Sequence, residues 1–233
     1  MIKVGICEDE KITRNFIARM LAQYFKSREI VYQLREYESG KEYIEQRDET
    51  DILILDIEME GITGIQLKDW LWKEDEDVKI LFVTNHMEEM QEAFGRNVYG
   101  FLQKPLEQSL FEKYLNRMVE DIEENRGLVI KGVDQEYVMK MKDILYFVSE
   151  NKYSRVVVKG TKYFCVKGLG QWEEELKEQS FFRCHKCYLV NFRNIYKIGD
   201  EICMTNGDKI PVSRRKGKEL KDSYREYIIR KAR

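Results

Sequence analysis

The first half of the chain alternates short apolar runs with longer segments in which apolar residues recur at a helical spacing. The runs have the length and composition of strands in a buried sheet. They are Ile2–Cys7, Ile30–Leu34, Ile52–Leu55, Lys79–Thr84 and Gly100–Gln103. Five strand–helix units in succession predict a doubly wound α/β domain, in which a five-stranded parallel sheet carries helices on both faces.

The segments between the runs have the periodicity of amphipathic helices, with charged residues at the intervening positions. In the first of these segments, Ile12, Phe16 and Met20 form the predicted apolar stripe. In the last segment the stripe comprises Leu106, Leu110, Phe111, Tyr114 and Met118.

The second half changes to short alternating segments separated by turn residues such as Lys159-Gly160 and Asn206-Gly207. This pattern predicts a mainly β domain. A helical segment near Leu169–Glu178 and another near Arg214–Arg230 interrupt it. The predicted strands are Leu128–Ile130, Glu136–Met139, Ile144–Val148, Ser154–Val158, Tyr163–Val166, Ile195–Ile198, Ile202–Thr205 and Lys209–Val212.

A highly charged connector, Glu120–Arg126, precedes Gly127 and suggests two domains, at residues 1–124 and 127–233. The charge differs on its two sides. Of the 40 basic and 42 acidic side chains, 16 and 28 lie in residues 1–125, so this part carries −12 and the remainder +10. A basic domain of this kind indicates a polyanionic partner.

The composition excludes several classes of protein. No segment approaches the ~18 uncharged apolar residues of a membrane span, and the acidic Glu8-Asp9-Glu10 follows the first apolar run too soon for a secretory signal. We therefore expect a cytoplasmic protein with no membrane partner. The five cysteines are odd in number and scattered, which favours reduced thiols over a disulfide framework.

Polar residues follow the ends of several predicted strands. Glu8 and Asp9 follow the first, and Asp56 follows the third. Ligands of parallel sheets bind beyond these carboxyl ends, where three carboxylates would repel one another without a divalent cation such as Mg²⁺. An aspartate there can act as a nucleophile toward phosphorus, and Thr84 and Lys104 would stabilise the developing charge.

The set Glu8-Asp9, Asp56, Thr84 and Lys104-Pro105, in this order and at strand ends, resembles the receiver domain of response regulators over roughly residues 1–124. The resemblance implies a flavodoxin-like fold that is phosphorylated on Asp56.

The same resemblance implies that Asp9, Asp56 and the backbone carbonyl of Glu58 hold Mg²⁺, with Glu8 acting through metal-bound water. Phe101 would be the switch aromatic, although an ordinary core position explains an aromatic residue here equally well. We also hypothesise that Glu58 and His86 flank the path of water to the acyl phosphate and set its lifetime; the alternative is that they are solvated loop side chains.

The basic half contains Phe181-Phe182-Arg183-Cys184-His185-Lys186-Cys187-Tyr188-Leu189-Val190-Asn191 and, further on, Pro211-Val212-Ser213-Arg214-Arg215. These segments resemble the signature of the LytTR DNA-binding domain over about residues 127–233. The resemblance implies that loops enter successive major grooves of duplex DNA, with contacts from Asn151, Lys152, His185, Lys186, Arg214 and Arg215. Lys186 stands where the family usually has Arg, and Lys cannot make the bidentate contact that Arg makes with guanine.

The cysteine motif admits other interpretations. Cys184, His185 and Cys187 could form part of a zinc site, but a structural site needs four ligands and no second pair lies nearby. A redox-sensitive pair is a further alternative to reduced, structural cysteines.

Two other classes of function compete with a DNA-binding regulator. Phosphatases with an aspartate nucleophile also combine carboxylates, Thr and Lys around Mg²⁺. In those enzymes, however, the nucleophile lies in a D-x-D pattern, whereas here the acid pair precedes Asp56. A signalling adaptor could bind protein or RNA through its basic half, but the deep major groove of RNA does not suit base-reading loops.

We therefore expect a response regulator and not an enzyme, since the receiver only accepts and loses its own phosphoryl group. A sensor histidine kinase is the expected phosphoryl donor to Asp56. The phosphorylated protein is expected to form a homodimer that binds repeated duplex DNA sites and regulates transcription.

Overall fold

The computed structural model of the protein describes residues 1–177 and 179–232. It divides into two compact units, Met1–Ile122 and Glu123–Arg233. The division falls two residues before the expected domain end at 124, and Arg233, the expected end of the second domain, lies outside the described residues.

The first unit is built on a parallel sheet with strand order β2-β1-β3-β4-β5. Its strands are β1 (Ile2–Cys7), β2 (Tyr32–Tyr37), β3 (Ile52–Leu55), β4 (Lys79–Thr84) and β5 (Val98–Gln103). Its helices are α1 (Lys11–Ser27), α2 (Gly40–Gln46), α3 (Gly64–Lys73), α4 (Met90–Ala93) and α5 (Gln108–Asn125).

Two apolar cores lie on opposite faces of this sheet. One packs α1 and α5 against residues such as Val4 and Ile54. The other packs α2, α3 and α4 against residues such as Leu53 and Leu55. Because β3 contributes to both cores, all four of its residues are buried. The predicted doubly wound α/β fold is confirmed.

The buried face of α1 differs from the predicted stripe. Ile12 and Phe16 are 78% and 47% exposed, whereas Ile17, Leu21 and Tyr24 are buried. At 3.6 residues per turn, the last three residues share a face that points away from Ile12 and Phe16. The prediction had the correct period but assigned the helix the wrong rotation about its axis; of its three residues only Met20 is buried.

The second unit is mainly β, as predicted, and its sheets are antiparallel. A five-stranded sheet has the order β10-β9-β8-β12-β11, and smaller sheets have the orders β13-β14-β15 and β6-β7. The strands are β6 (Gly127–Lys131), β7 (Glu136–Lys140), β8 (Ile144–Glu150), β9 (Tyr153–Val158), β10 (Thr161–Cys165), β11 (Phe181–His185), β12 (Tyr188–Asn191), β13 (Ile195–Ile198), β14 (Glu201–Met204) and β15 (Lys209–Pro211).

Helices α6 (Leu169–Glu175) and α7 (Gly217–Ala232) complete this unit. The side chain of Trp172 from α6 is fully buried in one core, and Leu220 from α7 is buried in the other. Helix α6 ends before Glu178, which lies outside the described residues, and α7 begins three residues after Arg214, the expected start of the last helix.

Strands β11 and β12 were not among the predicted strands. Their sequence mixes aromatic and basic residues, and an irregularity between Arg183 and His185 breaks the alternation of inward and outward side chains. In the part of the chain that the structure describes, no helix has the combined length and hydropathy needed to cross a membrane.

Candidate functional site

Asp56 lies directly after β3, at the carboxyl edge of the parallel sheet. All residues of the apolar strand before it are buried, and the strand therefore carries Asp56 into a buried position, where the residue is 6% exposed. Its backbone N–H donates to the carbonyl of Cys7 at 3.0 Å, which joins the ends of β1 and β3. Its Oδ1 accepts a hydrogen bond from the N–H of Ile57 at 2.7 Å.

Lys104 joins the carboxylates of two different strands. It follows β5, and its Nζ lies 2.6 Å from Oδ2 of Asp56 and 2.8 Å from Oε2 of Glu8. Its own N–H donates to the carbonyl of Thr84 at 3.0 Å, which fixes the start of the side chain beside β4. Burial acts to lower the pKa of Lys104, but its hydrogen bonds to Asp56 and Glu8 raise the pKa overall.

Glu8 is a buried carboxylate with incomplete hydrogen bonding. Burial raises its pKa to about 7, against the opposing effect of its hydrogen bond with Lys104, and the nearby Asp56 raises it further. Although Oε2 lies close to Lys104, it accepts no hydrogen bond from any group among the described residues. A buried carboxylate oxygen in this state favours a second cation.

Three carboxylates converge at this edge of the sheet. One oxygen from each of Glu8, Asp9 and Asp56 lies within 4.8 Å of the other two. Carboxylate oxygens are hard ligands, and two of these residues are buried while Asp9 is open to solvent. The donor set therefore fits Mg²⁺, which is bound through few carboxylates and keeps several waters.

Arg14 supports the turn that carries the acid pair, and the sequence reasoning did not identify it. It is 5% exposed, and Nη1 donates to the carbonyls of Glu8 and Asp9 at 2.6 and 3.3 Å. Its Nη2 donates to Oε1 of Glu38 at 2.6 Å. The signal that could have identified it is its spacing from Ile17 and Leu21, which places it on the true buried face of α1.

The predicted switch residues lie on neighbouring strands. Thr84, at the end of β4, is fully buried, and its Oγ1 accepts a hydrogen bond from the N–H of His86 at 3.0 Å. The ring of Phe101, in β5, stacks on that of Phe82 with the ring centroids 5.3 Å apart, and it forms an edge-to-face pair with Phe94 with the centroids 5.0 Å apart.

Glu58 and His86 contact each other, with Oε2 and Nε2 2.8 Å apart. Nδ1 of His86 also lies 3.2 Å from Oε1 of Glu88.

The loop after Asp56 packs closely against the start of α3. A Cβ at Gly64 would lie only 2.0 Å from the carbonyl oxygen of Asp56.

In the second unit, the predicted DNA-contacting residues lie at turns. Asn151 and Lys152 form the exposed turn between β8 and β9, and Asn151 has φ of 56°. His185 ends β11, and the exposed Lys186 begins the two-residue turn to β12. The N–H of Ser149 donates to the carbonyl of Cys187 at 2.9 Å, so these two turns lie side by side at one end of the sheet.

The third segment is attached to the same end. Arg214 and Arg215 are exposed in the turn before α7, and the N–H of the preceding Ser213 donates to the carbonyl of Cys184 at 2.9 Å. The thiol of Cys184 is buried, which raises its pKa to about 12. The fold therefore brings the six predicted contact residues to adjacent turns.

The cysteine motif is not one of the metal-ligand groups. Among the described residues, the only groups of at least three such ligands are Glu8 with Asp9 and Asp56, and Glu58 with His86 and Glu89. Instead, Nδ1 of His185 accepts a hydrogen bond from the N–H of Cys187 at 3.2 Å. All five cysteines are free thiols.

Comparisons with known protein families match both units. A family model described as a response regulator receiver domain matches residues 4–116, and one described as a LytTr DNA-binding domain matches residues 134–225.

Several curated proteins are similar over most of their length. The sensory transduction protein LytT of Bacillus subtilis is 28% identical over 240 residues, which cover 95% of this chain and 98% of LytT. The transcriptional regulatory protein LytR of Staphylococcus aureus (strain bovine RF122 / ET3-1) is 26% identical over 246 residues, with the same shares covered. The transcriptional regulatory protein NatR of Bacillus subtilis is 25% identical over 199 residues, covering 84% of each chain.

Proposed function

Because this chain belongs to the LytTR family of two-component response regulators and is a transcriptional regulator with a DNA-binding domain, we propose that phosphorylation of Asp56 by a sensor histidine kinase controls its binding to DNA. The observation that carries the proposal is the contact of Lys104 with both Asp56 and Glu8 at the edge of the parallel sheet.

The phosphoryl transfer follows from this geometry. An oxygen of Asp56 attacks phosphorus as the bond from phosphorus to the donor nitrogen breaks, and the imidazole of the kinase leaves with the electron pair of that bond. Lys104 would stabilise the negative charge of the phosphoryl group, because its Nζ already contacts the Asp56 carboxylate that accepts the group. The hydroxyl of Thr84 would donate a hydrogen bond to the same group.

Asp9, Asp56 and the backbone carbonyl of Glu58 would hold Mg²⁺, the proposed cofactor, and Glu8 would contribute to the same site through a water ligand. When bound, the ion neutralises charge on the phosphoryl oxygens. Glu8 supports this assignment, because its buried Oε2 lacks a hydrogen bond among the described residues. Arg14 keeps the turn of the acid pair in place through the two backbone carbonyls that it binds.

The phosphorylated receiver is proposed to favour one of two pre-existing conformations. Thr84 would move toward the phosphoryl group, and Phe101, packed between Phe82 and Phe94, would change its packing in response. The altered surface would favour a homodimer, whose two DNA-binding units engage repeated sites with greater avidity than one unit alone.

The DNA contacts are proposed to come from the three adjacent turns. Nδ1 of His185 accepts a hydrogen bond, so its Nε2 carries the proton and is available to donate to an acceptor on a base edge. Lys186, Arg215 and the other predicted cations would contact phosphates or bases.

The protein would act in the cytoplasm and would catalyse no reaction beyond the gain and loss of its own phosphoryl group.

A single experiment tests both halves of the proposal. The purified protein is incubated with Mg²⁺ and acetyl phosphate, and its mass is measured together with its selection of sequences from a pool of random duplex DNA. We expect an added phosphoryl group and enrichment of a repeated motif. Asp56→Asn should lose the added mass, while the exposed control Asp75→Asn should retain it.

Other results would redirect the proposal. Selective DNA binding without an added phosphoryl group would contradict control through Asp56. Rapid turnover of acetyl phosphate without enrichment of any DNA sequence would favour an enzyme with an aspartate nucleophile.

The contact between Glu58 and His86 supports a second proposal, that this pair controls the access of water to the acyl phosphate. Glu58→Asn combined with His86→Ala should change the rate at which the phosphorylated protein loses its phosphoryl group. An unchanged rate would leave the pair as solvated loop residues.

A further inference from the structure

We propose that Arg183 is a positioning residue, which holds the turn between β11 and β12 in the shape in which His185 and Lys186 meet DNA. This inference rests on the proposed function, in which that turn contacts duplex DNA. It assigns no DNA contact to Arg183 itself.

The guanidinium of Arg183 binds the backbone of the turn. Its Nε donates to the carbonyl of His185 at 2.8 Å, and its Nη2 donates to the carbonyl of Lys186 at 2.5 Å. Two donors on one rigid plane therefore fix two successive carbonyls, which only the fork of an arginine can do. The orientation of the peptides that carry both proposed DNA contacts depends on this side chain.

Besides the hydrogen bonds that Cys187 makes with His185 and Ser149, the turn lacks the residues that usually define a tight hairpin. Two-residue hairpin turns usually have positive φ angles and contain Gly or Asn. Here the residues are Lys186 and Cys187, and neither is among the described residues with positive φ. The register of β11 and β12 also shifts between Arg183 and His185, so the regular ladder does not extend evenly to the turn.

A third contact fixes the guanidinium from the opposite side. Nη1 of Arg183 donates to Oε2 of Glu173, in α6, at 3.0 Å. Helix α6 is itself anchored by the fully buried Trp172. The turn is thus connected through Arg183 to the core of the unit.

These contacts argue against a direct role for Arg183 on DNA. Its side chain is 21% exposed, and its donors at both ends of the plane already have partners. The carboxylate of Glu173 beside it would repel a phosphate. Lys186 differs, because only its backbone carbonyl is bound by Arg183 and its side chain is exposed.

The test compares full-length variants on two duplexes of equal length, one recovered from the random pool by selection and one unselected. Binding is measured by fluorescence anisotropy at several salt concentrations. Arg183→Lys keeps the charge but loses the fork. We expect it to lower affinity for the selected duplex by roughly tenfold or more, which is the value of one good base contact. Affinity for the unselected duplex and the salt dependence should stay unchanged.

Glu173→Gln is the matched second variant, and it leaves Arg183 intact. If Glu173 steadies the guanidinium, this change should weaken binding to the selected duplex by a smaller factor in the same direction. If Arg183 contacts phosphate, removal of the nearby carboxylate should instead strengthen binding to both duplexes. The latter result would overturn the inference, and the test holds even if Arg183→Lys fails to fold.

Lys186→Ala and His185→Ala separate this inference from the proposed function. Weaker DNA binding by these variants with an unaffected Arg183→Lys would overturn the positioning role and leave the turn as a DNA contact. An equal loss on both duplexes for Arg183→Lys, with a change in salt dependence, would make it a phosphate contact and also overturn the role. Normal binding by Lys186→Ala and His185→Ala would contradict the proposed contact, and the inference with it.

Discussion

At the carboxyl edge of the parallel sheet, the cation Lys104 is only 13% exposed and is paired with both Glu8 and Asp56. At the turns of the second unit, Lys186 and Arg215 are exposed to solvent. The first site collects its charges from three strand ends far apart in the chain, whereas the second presents them on short turns.

The difference shows how each site depends on the fold. Buried charges stabilise one another, so a substitution there changes both stability and chemistry. Exposed cations contribute little to folding, so a substitution there should change only the interaction with a partner.

The largest effect is expected for Lys104→Met. Loss of a fixed charge at the phosphoryl group should slow phosphorylation by acetyl phosphate about 100-fold. Two carboxylates would also remain in the buried site without their cation, so the free energy of unfolding should fall by about 3 kcal/mol. Phosphorylation by mass and stability by urea denaturation would both be measured, with the exposed Lys73→Met as control. Slower phosphorylation of Lys104→Met without any loss of stability would contradict this coupling between stability and chemistry.

The pH dependence of stability should reveal Glu8. Its pKa is raised from 4.5 to about 7 in the folded protein, so the folded state holds its proton more tightly than the unfolded chain does. Without Mg²⁺, the free energy of unfolding should therefore fall as pH rises from 4.5 to 7, by up to about 1.4 kcal/mol for each unit of the shift. Glu8→Gln should remove this slope and the exposed control Glu60→Gln should keep it. A persistent slope in Glu8→Gln would assign it to other groups.

Gly64→Ala should destabilise the loop after Asp56. The new Cβ would lie 2.0 Å from the carbonyl oxygen of Asp56, so backbone must shift, at a cost of about 1–3 kcal/mol. Gly170→Ala, within α6 and with no atom within 4 Å of the new Cβ, should instead stabilise the protein by up to about 1 kcal/mol. Thermal unfolding of both variants would compare them, and equal effects would contradict the close approach.

Lys186→Ala should lower DNA affinity by about 1 kcal/mol and leave the free energy of unfolding within about 0.5 kcal/mol. The exposed Lys162, in β10, lies at the opposite end of the sheet and provides the control Lys162→Ala. Anisotropy titrations and thermal unfolding would be measured in parallel. A marked loss of stability in Lys186→Ala would show that this region, too, depends on its charges for folding.

The smallest perturbation is alkylation of the native thiols. Burial raises the pKa of Cys184 to about 12, whereas Cys187 and Cys203 are partly exposed. Iodoacetamide at pH 8 should therefore modify Cys187 and Cys203 first, because the thiolate is the reactive form. Peptide mass spectrometry would locate the label, with urea-denatured protein as the control. Early labelling of Cys184 would mean that β11 opens readily.

Much of the fold was predictable because strand and helix periodicities are local. Strands β1, β3 and β4 have the predicted bounds, since each is a continuous or nearly continuous apolar run. Strand β2 begins two residues later than predicted, at Tyr32, because an edge strand is half exposed and its apolar residues do not mark its ends.

The residues that support the two sites were harder to identify. Arg14 and Arg183 belong to a residue type that is mostly found on surfaces. The spacing of Arg14 from Ile17 and Leu21 is a local signal of its burial only once the rotation of α1 is known. Arg14 is buried only because α1 has the rotation that points Ile12 outward. Arg183 depends on a hairpin whose mixed sequence did not suggest two strands.

Local patterns in the amino-acid sequence were sufficient for the fold classes of both halves and for the polar groups that follow the strands of the parallel sheet. The meeting of Lys104 with Asp56 and Glu8, which lie 48 and 96 positions away, required the strand order of the sheet and the packing of its helices. Periodicity describes only neighbours along the chain, whereas burial, partners and pKa values arise from groups that the fold brings together across it.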